Sequence, residues 1–263
     1  MRYFRLIVRF LRASAQQEMA YSVNFFISLI YSLLNLGVGV AGLDILFTQV
    51  QSIQGWDYAS TLALLGIYLV VTALRELFIG PSLEALAGME GEIMSGKFDF
   101  TLLRPIDIQF MSSFRAWRLF ALLDLALGIG VIWRALAIPG SFLAPGNIII
   151  FAVVMCAGML VMYSILLAFS ALVFWSPGFL FTWVFDGLIQ LARYPVGMYP
   201  QWLRFVLTWV IPVGVITTIP AQALSGSLPA GYLAGSVGLA VVFFLGASFL
   251  FRRSVRRYTS ASS

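Results

Sequence analysis

The sequence has no histidine and a single cysteine, Cys156, which lies inside an apolar run. Zinc clusters, disulfides within the chain, a Cys/His dyad and histidine general-base chemistry are thus left without the residues they need. Charge is also scarce: 10% of the 263 residues are charged and 61% are hydrophobic, against about 25% and about 45–50% in a soluble domain. Most enzyme classes fall away, and a polytopic membrane protein is what remains.

What is present is long apolar runs, at 25–47, 58–74, 119–138, 148–175, 179–191, 205–219 and 232–251. About 20 residues cross the hydrocarbon core, so most of these can span, while 179–191 and 205–219 are short. Of 16 Lys and Arg, Arg2, Arg5, Arg9 and Arg12 open the chain, Arg252, Arg253, Arg256 and Arg257 close it, and five more lie from Arg75 to Arg118. The positive-inside rule places both termini and the segment after the second span in the cytoplasm, with Arg134, Arg193 and Arg204 outside or at membrane depth. Termini on one side require an even number of crossings, and six follow. Basic ends that adjoin spans meet anionic lipid first, so membrane lipid, and no nucleic acid, is the expected partner.

The first 20 residues, "MRYFRLIVRFLRASAQQEMA", have the charge of a signal peptide, but the next apolar run exceeds an h-region and no A-x-A cleavage site follows. The segment is expected to be retained. At 100° per residue its arginines share one arc and Tyr3, Phe4, Ile7, Val8 and Leu11 the other, which predicts an interfacial amphipathic helix over 1–20. In the first span Asn24, Ser28, Tyr31, Asn35, Gly39 and Gly42 share a face. Helix packing through small and polar residues and the lining of a substrate path both fit that stripe. Gly231, Gly235 and Gly238 make a similar face in the last span, read as packing. Ionisable groups within spans are suspects for function. Asp186 is the chief one, with Gln190 and Arg193 four and seven residues on, placed to supply a hydrogen bond and a counter-charge. Asp44 and Asp124 fall near span ends, where water is at hand.

"RYPVGMYPQWLR" interrupts the late apolar runs with two Tyr-Pro pairs and a glycine. Broken backbone is tolerated at membrane depth only inside protein or beside a water-filled cavity, and each proline removes a donor and fixes φ. The reading is a turn at the outer surface within a re-entrant hairpin over 193–228. Arg193, Tyr194, Pro195, Tyr199 and Pro200 form a candidate outer gate; a plain external loop held by aromatic anchors is the other possibility.

"GEIMSGKF" matches the phosphate-binding loop G-x-x-x-x-G-K-[ST] except at Phe98, which stands where the magnesium-holding hydroxyl belongs, and no strand pattern precedes it. No nucleotide or other cofactor is expected on this chain. The longer stretch "GEIMSGKFDFTLLRPIDIQF" resembles the segment between the second and third spans of ABC-2 type exporter permeases, in the bacterial six-span subfamily of about this length. "ARYPVGMYPQWLRFVLTWVIPVGVITTIPAQAL" is similar to that subfamily's late segment. The chain departs from the pattern at Phe98, where leucine is usual, and at Glu92, where a basic residue is common.

The resemblance implies one all-α transmembrane domain over 21–263, with a cytoplasmic coupling segment at 81–115 in which Gly96, Asp99, Leu102, Leu103, Arg104 and Pro105 rest on a partner ATPase. It further implies that ATP and Mg bind on that ATPase, that a second permease of the same or a similar chain completes the complex, and that the complex sits in a bacterial cytoplasmic membrane. Pro105 disfavours helix at Arg104, so "FDFTLLRP" reads independently as a short exposed knob. Apolar spans with few fixed charges fit an amphiphilic, drug-like or lipid-like substrate. An ion-coupled secondary transporter or a membrane assembly scaffold are the alternatives.

Overall fold

The computed structural model describes residues 2–20, 22–88, 90–138, 145–178 and 181–258. Among these the chain is all-helical apart from one isolated bridge, Ile53 to Trp56. The start of the 179–191 run and the final five residues lie outside the described residues. Helix α1 (Arg2–Met19) leads into α2 (Ser22–Gln49) and α3 (Tyr58–Leu74), and α3 continues through a π-turn, Arg75–Ile79, into α4 (Gly80–Glu84). Short helices α5 (Phe98–Leu102) and α6 (Ile108–Phe114) precede α7 (Ala121–Leu136) and α8 (Pro145–Leu172). After α9 (Phe181–Gln190) come two 3-10 turns, α10 (Gln201–Phe205) running into a second π-turn, α11 (Val213–Ile216), α12 (Thr218–Leu224) and the long α13 (Ala230–Val255).

Four stretches are long and apolar enough to cross a membrane: Val23–Gln49, Tyr58–Glu84, Asn147–Leu172 and Gly231–Val255. A fifth arises if Gln201–Val210 and Val213–Leu224, which meet at 68°, count as one span. Two expected crossings are shorter than the runs suggested. Helix α7 has 16 residues and the described part of α9 has 10, about 24 and 15 Å of rise beside a hydrocarbon core of about 30 Å.

Local chemistry sets the joints. The α2–α3 turn passes through Gln54 and Gly55 at φ 52° and 82°, where glycine carries no Cβ penalty. Asp57 then caps α3, accepting from Ser60 N at 2.9 Å. At the other end Pro81 has no N–H for the carbonyl of Leu77, and that oxygen accepts instead from Arg118 N at 3.0 Å. The whole 116–119 strap is held this way. Ala116 N donates to Ser82 Oγ (2.9 Å), Trp117 N to Ser14 Oγ (3.0 Å) and Leu119 N to Glu18 Oε2 (2.8 Å). Every N–H of this non-helical stretch therefore has a partner, and α1 is fastened to the start of α7. Burial pushes the Glu18 carboxyl up, against the Leu119 N–H and the Arg118 charge, which pull it down.

Helix α3 is the centre of the bundle, with 72% of its most apolar stretch buried, against 17% for α2 and for α13. It packs lengthwise on α7, as α8 does on α13. A Cβ at Gly66 would lie 2.8 Å from Ile132 N, and one at Gly128 2.8 Å from Val70 N. The α3 and α7 backbones therefore touch, the close approach that small residues permit in lipid. The glycines of α13 do something else. Gly231, Gly235 and Gly238 are exposed, with open space where a Cβ would be, and buried Ser236, Ala240, Ala247 and Phe251 mark the face that packs inward. The expected packing face is thus turned away from this chain.

Candidate functional site

A polar cavity of 490 Å³ opens among α2, the end of α3, the start of α7 and α9. At its edge Arg75 is 6% exposed and opens the π-turn, a distortion that recurs at functional positions. Its Nη1 lies 2.8 Å from Asp186 Oδ1 and 3.1 Å from Glu76 Oε1, its Nη2 bonds Glu84, and its guanidinium stands 4.7 Å over the Phe185 ring. Arg118 pairs with Glu76 from the other side. Asp124 also lines the cavity, as does Ser32, whose hydroxyl donates to Ser28 O at 2.8 Å. Glu76, Asp124 and Asp186 line the cavity with Arg75 and Arg118, and Arg193 reaches the carbonyl of Asn35 at its wall, so acids and cations there are closely matched in number. Such a knot survives in a bundle because a buried cation is tolerable only when paired.

Of the path residues read from the sequence, Ser28, Tyr31, Asn35, Asp186 and Gln190 all line this cavity. Asn24 lines a neighbouring one of 450 Å³, shared with Gln17 and Glu18 of α1. The polar stripe of α2 faces these spaces, and Ser32, Gly39 and Leu43 are its buried contact line. The expected Asp186 counter-charge is corrected: Arg75 supplies it. Helix α9 ends at Gln190 and Leu191–Arg193 is a 3-10 turn, whose tighter winding takes Arg193 off the Asp186 face. Arg193 instead donates from Nη2 to Asn35 O at 3.0 Å. Arg75, Glu76, Arg118 and Asp124 were missed as cavity residues. The signal available for the first two was "TALRELFIGP", a charged pair inside an apolar run just before a Gly-Pro break.

At the coupling segment Phe98 is fully buried, its ring centroid 5.2 Å from that of Phe174 and 5.3 Å from that of Tyr258. The residue that spoils the phosphate-loop match is an anchor to the ends of α8 and α13. Gly96 turns at φ 72°, Glu92 pairs with Arg115, and Arg115 Nη1 reaches Thr101 Oγ1 at 3.4 Å. On that footing Phe100, Leu102 and Leu103 stand exposed, Leu103 by 80%, with Arg104 and Pro105 beside them. Gly96 and Asp99 are half-buried at the base.

The Tyr-Pro segment begins deeper than expected. Asn35, the partner of Arg193, is 14 residues before the end of α2, about 21 Å along it. From there the chain climbs toward Trp56, whose Nε1 would be 3.7 Å from a Cβ on Gly197. Tyr194 (φ −120°, ψ 150°) and Tyr199 (φ −83°, ψ 156°) are extended, as residues before proline must be. Tyr199 donates to Leu191 O at 3.0 Å, Thr217 to Ala192 O at 2.7 Å, and Val196 N to Thr218 Oγ1 at 3.1 Å. Arg204 donates to Gly197 O. Pro195 is buried, Tyr194 and Pro200 exposed.

Among the described residues no group of His, Cys, Asp or Glu could hold a metal ion. Curated proteins give no match to the chain. A multi-pass bundle of apolar helices with this internal polar site agrees with the family model described as ABC-2 family transporter protein, which matches residues 33–262; the chain belongs to that family and is a transporter permease.

Proposed function

We propose that the chain is the membrane subunit of an ATP-driven exporter, moving an amphiphilic, drug-like or lipid-like substrate while a separate ATPase subunit binds ATP and Mg. The observation that carries this reading is the polar cavity lined by Arg75, Glu76 and Asp186 inside a family-matched bundle. In this reading Ser28, Tyr31, Asn35, Asp186 and Gln190 touch the substrate, and Gly96, Asp99, Leu102, Leu103, Arg104 and Pro105 form the knob that meets the ATPase. A second permease of the same or a similar chain completes the path. The buried carboxylates around the cavity give an ion-coupled transporter as the second reading. The chain should copurify with an ATP-binding subunit from its native membrane, and efflux should stop when ATP is depleted and continue under a protonophore. Efflux that stops only under the protonophore, with no ATPase recovered, would overturn the proposal.

The crossings assigned are α2, α3, α7, α8, α9 and α13. Segments α10 to α12 form the outer re-entrant hairpin, and α1 lies on the inner leaflet with Arg5, Arg9 and Arg12 toward headgroups. Both termini are then cytoplasmic in a bacterial inner membrane, and Arg193, Tyr194, Pro195, Tyr199 and Pro200 gate the outer end of the path. With Cys156 replaced, single cysteines from Ser52→Cys and Gln201→Cys should react with an impermeant reagent added outside. Those from Ser95→Cys and Val215→Cys should be protected, Ser95 by sidedness and Val215 by burial at 3% exposure. Reaction at position 95 from outside reverses the topology.

A further inference from the structure

A second hollow, of 980 Å³, runs between α6, α8 and α13 and the end of α3, and shares no lining residue with the polar cavity. Its walls are mostly apolar, with Phe78, Met159, Leu160, Phe244, Leu245 and Phe249 among them. Its volume is at the top of the range of about 300–1,000 Å³ typical of ligand sites. Along α13 it extends from Phe244 to Arg252, about 12 Å, which fits inside one leaflet's share, about 15 Å, of the hydrocarbon core.

Two polar features break the apolar lining. Gln109 is 8% exposed; its Nε2 donates to Tyr163 Oη at 3.1 Å and Ser248 Oγ at 3.0 Å, while its Oε1 has no partner. Because hydroxyls donate or accept, the carboxamide can be held by either end, which leaves its oxygen or its NH₂ group without a protein partner. At the mouth Arg252 is 64% exposed and its Nη2 lies 3.4 Å from Asp107 Oδ2, while Asp107 Oδ1 caps α6 at Phe110 N. Arg253, Arg256 and Arg257 are exposed close by on the same end of the chain, so the end of α13 beside the mouth is basic.

We propose that this groove binds an anionic glycerophospholipid from the leaflet at the Arg252 end of the bundle, as a resident lipid apart from the transport path. The phosphate meets Arg252, whose single long contact to Asp107 leaves further N–H donors on its guanidinium. The glycerol ester region meets Gln109, and one acyl chain fills the apolar length beyond. A zwitterionic lipid satisfies the walls and offers the same phosphate but brings its own cation among the arginines, and a simple fatty acid has no glycerol ester for Gln109.

The test uses the whole detergent-purified protein, washed free of lipid, and its native Cys156, which is exposed and lines the groove. Maleimide modification of Cys156 is timed while dioleoyl phosphatidylglycerol or dioleoyl phosphatidylcholine is added. Phosphatidylglycerol should protect saturably and at a concentration about ten-fold lower than phosphatidylcholine, as expected when no choline cation offsets the phosphate charge beside the arginines. Arg252→Gln should erase that preference, and Gln109→Leu should raise the half-protecting concentration of both lipids. Equal protection by the two lipids in the unsubstituted protein would reduce the site to ordinary boundary lipid and overturn the proposal. Protection that follows protein concentration without added lipid would make a second copy of the chain the occupant, and lack of protection by either lipid would show a groove that takes no acyl chain.

Discussion

Arg75→Met is expected to be the most damaging single substitution in the bundle. It leaves Glu76, Glu84 and Asp186 facing one another with their shared cation gone, and breaking a buried pair from one side costs about 3–5 kcal/mol. Asp186 is 45% exposed on its side chain, so solvent screens part of the loss and the lower end of that range applies. In a chain of this size about 3 kcal/mol corresponds to roughly 6–12 °C in unfolding temperature, readable by a thermal shift of the detergent-purified protein. Arg75→Lys keeps the charge but cannot fork between Glu84 and Asp186, and should fall between. Adding Glu84→Gln to Arg75→Met removes one of the stranded carboxylates and should recover part of the loss. An Arg75→Met protein that melts with the unsubstituted one would show that the knot holds nothing together.

Leu103→Asp is expected to abolish export while leaving the permease folded. The Leu103 side chain is among the most exposed of the large hydrophobic groups and rests on a segment pinned from beneath by Phe98. A carboxylate there loses its water when a partner surface closes over it, at a cost of about 2–4 kcal/mol if the contact is central, which weakens ATPase binding about 30- to 1,000-fold. Arg104→Glu should also weaken it, by reversing a charge on the same knob. Phe98→Ala is the control, since it empties a packed aromatic site and should lower the melting temperature. Unchanged ATPase affinity and unchanged export in both knob variants would place the contact elsewhere.

The sequence made the architecture legible where one physical signal acted alone. Apolar length announced the helices, and the turn residues around Arg104 and Pro105 announced an exposed knob. It misled where two signals overlapped. Arg75 was counted with the cytoplasmic positive charges because it follows an apolar run, yet the α3 helix continues past it through a π-turn, and the carboxylates that draw it inward come from α4 and α9 as well as from its neighbour Glu76. Helical periodicity put Arg193 on the Asp186 face, but a 3-10 turn breaks that periodicity at Leu191. The glycine spacing of α13 is that of a packing motif, and spacing alone does not say which neighbour a face meets. The hydrogen bonding of the 116–119 strap was beyond reach from the sequence, because its acceptors come from α1, the π-turn after α3, and α4.

The sparse burial of α2 has a thermodynamic consequence. Within lipid, separating two apolar helices exposes no hydrocarbon to water, so association rests on close packing and the few polar bonds between helices. Among the described residues α2 has the Arg193 to Asn35 carbonyl bond, the tight approach of Arg193 to Gly39 and the Tyr58 to Asp44 bond at 2.7 Å. Native-state opening proceeds in units, beginning with those that have the fewest buried contacts. Helix α2 is such a unit, while α3 and α7, locked backbone to backbone, open only with the whole. The cavity wall that α2 supplies is therefore displaced at a lower cost in free energy than the walls that α3 and α7 supply.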